Sequence, residues 1–337
     1  MNDRNRQILL ADKPTDKLSP DHFKLVTAPM PEAGAGEVLC RTLYISLDAA
    51  NRAWMQGQTY RDQVTAGTVM AGGVLAEVVA SNDDRLAPGD LVEGDGGWQD
   101  YFVQPAKHLW KRVRPADDGW PLTHLLSILG ITGKTAYFGL LNIGRPKEGE
   151  TVVVSAAAGA VGSVVGQIAK IKGARVIGIA GGDKKCAWLT DALGFDAAID
   201  YRAGNLFKAL KQHCPDGIDV YFDNVGGAVL EAALFNMALH GRIACCGAVS
   251  QYDTGTPDPG PRGVPGLIVV KRLMMQGFIV MDFHSDWPAA EAQLAQWVQQ
   301  GRIKVAEDVL DGLEAAPAGL VGLLAGDNIG KRLIKVA

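Results

Sequence analysis

The sequence predicts an α/β protein of two parts, a β-rich antiparallel domain followed by a doubly wound parallel sheet with helices on both faces. Three observations lead there. The chain has 337 residues, more than one ordinary core holds. Up to about residue 120, short alternating segments are separated by turn residues. From Thr151 onward, continuous apolar runs alternate with helical patterns.

In the first part, EVLCRTLYIS and GGVLAEVVAS alternate apolar and polar residues, and Pro88-Gly89-Asp90 supplies a turn. Apolar residues at helical spacing predict a long helix over 122–141. TVVVSA then reads as a buried strand and GAVGSVVGQIAKIKG as a helix that opens on small residues. ARVIGIAG is the next strand, and DKKCAWLTDALG a helix closed by Gly194. DAAIDY, a helix over 206–213, GIDVYFDNVGG, a helix over 229–239 and GRIACCGAV continue the series. The Gly/Pro-rich stretch 253–266 predicts a loop, and its length a lid or a substrate edge. A strand over 273–280, a helix over 289–300 and a final strand in GKRLIKVA complete the chain.

Composition narrows the function. Hydrophobic residues make up 47% and charged residues 21%, as in a soluble globular protein. A net charge of −4 with no basic stripe argues against nucleic acid and against a polybasic membrane anchor. The uncharged window 151–169 is rich in Ala and Gly, and a strand–turn–helix explains it better than a membrane span. The beginning, MNDRNRQILLADKP, has no apolar signal stretch, and the five cysteines include no C-x-x-C pair. Both features predict reduced thiols and a cytoplasmic location.

The strongest local signal is TVVVSAAAGAVGSVVG. Ala157, Gly159 and Gly162 hold the three positions of a dinucleotide fingerprint, with Ala in place of the first Gly. Small residues there let the backbone turn tightly beneath a pyrophosphate, whose charge rests on the helix N-terminus. An NAD site usually ends the second strand with an acid that holds the ribose 2′-hydroxyl. Here that strand ends in Ile179-Ala180-Gly181-Gly182, followed by Asp183 and then Lys184-Lys185. A cation in this place favours a 2′-phosphate and therefore NADP(H), although a Lys–Lys pair could also be a solvated helix surface.

The ordered set SAAAGAVGSVVGQIAKIKG, GGDKKCAWL, YFDNVGG, CGAVSQY, GFIV and GDNIGK resembles the leukotriene B4 dehydrogenase/prostaglandin reductase branch of the medium-chain dehydrogenase/reductases. Curcumin reductases and alkenal double-bond reductases fall in that branch. The resemblance implies a GroES-like catalytic domain from residues 1–125 with 309–337, a Rossmann domain over 126–308, NADPH between them, and a homodimer. Site residues follow motif by motif. Gly159, Ala160, Val161 and Gly162 resemble the pyrophosphate turn. Lys185 resembles the 2′-phosphate lysine, and Tyr201 a tyrosine nearby. Asn224, Cys246, Gly247, Ala248, Val249 and Ser250 resemble cofactor-lining residues. Phe278 and Val280 resemble backbone partners of the nicotinamide amide, and Asn328 an asparagine that reaches the cofactor. One segment departs from the pattern: ISLDAANRAWM stands where LSLDPYMRGRM is usual, keeping Asp48 and Arg52 but placing Ala49, Ala50 and Asn51 at the substrate edge.

The same resemblance predicts no metal. The segment that would carry Gly-His-Glu reads Gly67-Thr68-Val69-Met70-Ala71-Gly72-Gly73, and the six histidines lack ligand spacing. Without zinc ligands, conjugate reduction is easier than reduction of a plain carbonyl, because the charge collects on an enolate oxygen that needs only hydrogen-bond donors. The expected substrate is a small α,β-unsaturated aldehyde or ketone. Tyr252 is the candidate donor, since a phenol ordinarily keeps its proton at neutral pH; alternatively it walls the pocket and a cofactor ribose hydroxyl donates. Tyr60 and Arg52 are candidate substrate-lining residues, with Arg52 also a candidate ion-pair partner of Asp48. Two other readings stay open, an NADPH:quinone reductase and a non-catalytic NADPH-binding or sensing protein.

Overall fold

The computed structural model describes residues 4–112, 120–256 and 259–337. Strands β1 (Arg4–Leu10) and β2 (Phe23–Pro29) form an antiparallel hairpin. The next strands are β3 (Glu37–Ser46), β4 (Val74–Ser81), β5 (Leu91–Gly94), β6 (Tyr101–Pro105) and β7 (Trp110–Arg112), with helix α1 (Ala50–Gln56) between β3 and β4. In β3 the expected alternation buries Val38, Cys40 and Thr42 and exposes Arg41. It fails after Thr42 because the register with β4 shifts between Thr42 and Tyr44, a bulge that turns the strand over.

The second part contains helix α2 (Ile131–Phe138), β8 (Thr151–Val154), α3 (Ala160–Ile171), β9 (Arg175–Ala180), α4 (Asp183–Ala187), β10 (Ala197–Asp200) and α5 (Leu206–His213). It continues with β11 (Ile218–Asp223), α6 (Gly227–Asn236), β12 (Met237–Cys245), α7 (Val264–Lys271), β13 (Met274–Gly277) and α8 (Trp287–Gln299). Its six strands are all parallel, in the spatial order β10-β9-β8-β11-β12-β13. Val152 and Val154 pack toward α3 and α8, whereas Val153 packs toward α5 and α6. Burial on both faces is why these strands read as unbroken apolar runs. The strand order reverses between β8 and β11, and a ligand crevice opens at that switch point, beyond the carboxyl ends of the strands.

The chain closes with β14 (Glu307–Asp311), α9 (Ala316–Ala325) and β15 (Lys331–Lys335). These strands join the N-terminal sheet, whose order is β14-β15-β3-β4-β5-β7 with β6 on β3. Among the described residues, no helix is long and apolar enough to cross a membrane.

Three sequence expectations are corrected. The long helix over 122–141 is broken into a 3-10 turn (Leu122–Leu125), α2 and a wide turn (Gly139–Gly144). The chain folds back on itself there, and a Cβ at Gly133 would lie 1.8 Å from the Ile128 carbonyl oxygen. The loop over 253–266 ends earlier than expected, because α7 starts at Val264 with Pro265 in its first turn, where a missing N–H is harmless; residues 257–258 lie outside the described residues. The helix expected over 229–239 stops at Asn236, and β12 begins at once.

Two polar joints fasten the parts. Lys134 is wholly buried, 2.6 Å from Glu291 and 4.4 Å from the centre of the Trp287 ring, while Arg112 of β7 reaches the same Glu291 at 2.8 Å. At the other joint, Glu307 accepts the Thr123 hydroxyl at 2.5 Å and the Ser127 hydroxyl, and lies 3.0 Å from His124 Nδ1. Burial pushes the Glu307 carboxyl up, but the hydrogen bonds from His124, Ser127 and Thr123 together outweigh it and leave the pKa below the ordinary glutamate value. A carboxylate depressed in the folded state stabilises fully above its unfolded pKa and loses that contribution as pH falls through the folded value. Glu307→Gln is therefore expected to cost about 2 kcal/mol at pH 7, with the difference from wild type vanishing in acid. Urea unfolding at several pH values checks this; a difference that does not change with pH would refute it.

Candidate active site

The site begins where β8 ends. Ser155 is fully buried, and its hydroxyl receives the Asn224 N–H at 2.9 Å. The Asn224 side-chain amide donates to the Ser155 carbonyl at 2.7 Å, which ties the ends of β8 and β11 together at the switch point. Asp223 accepts the Tyr221 phenol at 3.0 Å and the N–H groups of Gly226 at 3.0 Å and Val225 at 3.2 Å, fixing the turn into α6. Burial raises the Asp223 pKa despite these donors.

The chain then passes through Ala156 in the left-handed region (φ 48°) and reaches Gly159, the N-cap of α3. A Cβ on Gly162 would lie 2.4 Å from the Ala156 carbonyl oxygen, so only glycine allows this turn. No side chain caps α3, which leaves its first N–H groups free to bind an anion at the switch point. The GDNIG loop lies over this turn: Gly330 N–H donates to the Ala158 carbonyl at 2.8 Å, and Gly330 bridges Gly159. Asn328 is buried, with its amide on the Gly330 carbonyl at 2.7 Å, so its side chain holds the loop shut against the turn.

Cations gather at the end of β9. Lys185 Nζ donates to the Gly326 carbonyl at 2.6 Å, and Arg202 stacks on Tyr201 with its guanidinium 5.5 Å from the ring centre. A Cβ on Gly326 would touch both Lys185 Nζ at 3.8 Å and Arg202 Nη2 at 3.9 Å, so the two cations converge. Desolvation lowers the Lys185 pKa, and the charges of Arg202 and Arg332 lower it further against the pull of Asp327. Crowded positive charge of this kind fits an anion such as a ribose 2′-phosphate. Lys184, by contrast, is exposed. Sequence reasoning missed Arg202. The signal was its position beside Tyr201, but only the pairing of β9 with β10 shows that the two strand ends meet.

The run from Cys246 to Tyr252 is clipped along the end of β11. Cys246 and Gly247 N–H groups donate to the Asp223 carbonyl at 2.8 and 3.1 Å, and Val249 N–H donates to the Asn224 carbonyl at 3.2 Å. Ser250 donates to the Val225 carbonyl through its N–H at 3.1 Å and its hydroxyl at 2.7 Å. Burial pushes the Cys246 thiol up to about 12, so it packs rather than attacks. The Tyr252 hydroxyl oxygen accepts the Ala248 N–H at 3.1 Å, which places the phenol over Gly247. Among the described residues its proton has no acceptor. Phe278 packs edge-on to Phe222, with ring centres 6.3 Å apart, and the Val280 carbonyl accepts the Trp287 indole N–H at 3.2 Å.

Across from this edge, Tyr60 is half-exposed and its hydroxyl accepts the Trp54 indole N–H at 3.2 Å. Burial pushes its phenol pKa up against the pull of the Trp54 hydrogen bond, and the charge of Asp48 adds to the rise. Arg52 is a correction. Its side chain is fully enclosed and presents no surface to a substrate, and its partner is Asp253 at 2.9 Å rather than Asp48. Asp48 goes to Lys331 at 2.7 Å.

Among the described residues, no group of three or more His, Cys, Asp or Glu side chains could hold a metal ion. Residues 6–112 match the family described as the N-terminal domain of oxidoreductase, and residues 160–296 the family described as zinc-binding dehydrogenase. The chain is 43% identical to the NADPH-dependent curcumin reductase of Escherichia coli, over 99% of this chain and 97% of that protein. It is 40% identical to the NADP(+)-dependent 2-alkenal reductase of Nicotiana tabacum, over 99% and 98%. The crystal structure of CurA from Vibrio vulnificus in complex with NADPH superposes with a TM-score of 0.93 at 40% identity, covering 98% of this chain and 99% of that one. With both halves of the fold, the switch-point turn and full-length relatives in agreement, the chain belongs to the zinc-free branch of the medium-chain dehydrogenase/reductases that contains the curcumin, prostaglandin and alkenal reductases.

Proposed function

We propose that this NADP-dependent oxidoreductase reduces the C=C bond of small α,β-unsaturated aldehydes and ketones. The observation that carries the reading is the Tyr252 phenol. It sits at the carboxyl edge of the parallel sheet, its oxygen is held by a backbone N–H, and its own proton is unengaged among the described residues. A phenol that accepts one hydrogen bond becomes a better donor for the next. The relatives add weight, since 2-alkenals are by definition α,β-unsaturated aldehydes.

NADPH, when bound, supplies the hydride that adds to the β-carbon of the substrate. The residues of this chain do the rest. The start of α3 at Gly159, Ala160, Val161 and Gly162 receives the pyrophosphate, and Lys185, Arg202 and Tyr201 receive the 2′-phosphate. Asn224, the backbone of Cys246 to Ser250, Phe278, Val280 and the loop held by Asn328 wall the cofactor crevice. Tyr252 donates to the substrate oxygen as it becomes an enolate, and the α-carbon takes its proton from the phenol or from water.

The test follows NADPH oxidation at 340 nm with a 2-alkenal, a linear enone, a saturated aldehyde and a benzoquinone. Turnover of the alkenal and enone without the saturated aldehyde is the expected result. Exclusive turnover of the quinone would replace this reading, and binding of NADPH without any turnover would end it.

A further inference from the structure

Residues 252–255 follow the short turn after β12 (Val249–Gln251) inside the nucleotide-binding half, yet several of their hydrogen bonds run to the N-terminal domain. Gln56 Nε2 donates to the Tyr252 carbonyl at 2.7 Å. Arg52 Nε and the Leu18 N–H both donate to Asp253 Oδ1, at 2.9 and 2.7 Å. The Gly255 N–H donates to Asp16 Oδ1 at 3.2 Å. Arg52 and Gln56 stand four residues apart on α1 and so share one face of it.

The base from which these bonds reach is rigid. Asn51, fully buried, accepts the Asp48 N–H at 2.7 Å and donates to the Ala71 carbonyl at 3.1 Å. Asp48 is also held by Lys331 at 2.7 Å and by the Ser46 hydroxyl at 2.5 Å. Arg52 itself is a fully enclosed cation. Its Nη2 donates to the Asp16 carbonyl at 2.7 Å, while Nη1 has no partner among the described residues. A buried ion pair with an unused donor gains little stability over apolar packing of the same volume. Its value lies in what it fixes, and what it fixes is the residue next to Tyr252.

The tyrosine is thus pinned from two sides. Its backbone carbonyl and the following carboxylate are held by the N-terminal domain, and the tip of its ring by Ala248 in the nucleotide-binding half. We infer that Gln56 and the Arg52–Asp253 pair are positioning residues, which hold the Tyr252 phenol at the reacting edge from the opposite domain. The inference rests on Tyr252 being the donor. A donor placed in this way is in register with the cofactor crevice only when the two domains are docked, so the N-terminal domain governs proton delivery as well as substrate fit. Misplacement of a reacting group by about 1 Å can cost as much as 10²-fold in rate.

A double-mutant cycle on the full chain tests this. Gln56 is the variant of choice, because it is only half-buried and its loss strands no charge. Gln56→Leu is expected to lower kcat for the enone by about tenfold, with the KM for NADPH unchanged. In a Tyr252→Phe background, which keeps the backbone carbonyl but lacks the hydroxyl, the same change is expected to cost less than about twofold. Asp253→Asn should show the same dependence on the hydroxyl. Equal losses with and without the Tyr252 hydroxyl, or no loss at all, would overturn the inference, since a merely structural contact is blind to that atom. Tyr252→Phe turning over as fast as wild type removes the donor role itself, and the inference with it; that result is read from the single variant and not from the cycle.

Discussion

Replacing Lys185 and Arg202 together with alanine is expected to reduce the preference for NADPH over NADH by about 10²- to 10³-fold, with kcat/KM for NADH almost unchanged. The two cations converge beside the carbonyl of Gly326. Lys185 spends one of its three donors on that carbonyl, and Arg202 spends one on the Tyr201 hydroxyl at 3.3 Å. Among the described residues neither side chain forms an ion pair; Asp327 acts on both only at longer range, and Asp200 takes the backbone N–H of Arg202 at 2.9 Å. A phosphate that arrives between them offsets both their mutual repulsion and the cost of holding the Lys185 ammonium partly buried, because a dianion favours the charged form. NADH carries a hydroxyl there and gains nothing from the relief. Lys184→Ala serves as the control, since that side chain is exposed and is expected to leave both cofactors unaffected. Equal losses for NADH and NADPH in the double variant would mean that the pair supports the fold around α9 and does not read the cofactor. Initial rates with each cofactor at saturating enone separate the two.

What the sequence reveals and what it hides divide along chain distance. The turn at Gly159 and Gly162, the lysine after β9 and the order of strands and helices are local patterns, and each is readable because its physical cause lies within about twenty residues. The break in the helix over 122–141 was partly readable as well, since Gly130 and Gly133 stand in the middle of the apolar pattern. Their reason, however, is the backbone of 126–128 folding against them. Contacts between distant segments were not readable. Arg52 meets Asp253 across 201 positions, and Asp48 meets Lys331 across 283. Nothing in the segment ISLDAANRAWM shows which acid each cation will find; the docking of α1 against the 252–255 segment decides it. Arg202 was overlooked for the same reason, because a residue's nearness to a phosphate depends on which strand ends are neighbours.

The removal of one oxygen atom in Tyr252→Phe is expected to lower kcat for enone reduction by about 10²-fold while leaving NADPH binding intact. Among the described residues the phenol oxygen accepts only the Ala248 N–H, so its loss leaves one backbone donor without that partner and disturbs no ion pair. The effect should therefore fall on the rate and not on the fold. If the phenol donates to the enolate oxygen, the interaction exists in the transition state and hardly at all in the ground state, and KM moves little while kcat falls. The competing donor is a ribose hydroxyl of the cofactor, and it predicts a different result: Tyr252→Phe would keep its rate to within about threefold, because the ring still walls the crevice. Tyr60→Phe provides the contrast. That hydroxyl receives the Trp54 N–H on a half-exposed ring, and a change there should act on substrate KM before it acts on kcat. Single-turnover measurement with NADPH already bound isolates hydride and proton transfer from product release. A loss of about 10²-fold in that step places the donor on the protein, whereas an unchanged step places it on the cofactor and leaves Tyr252 as a wall.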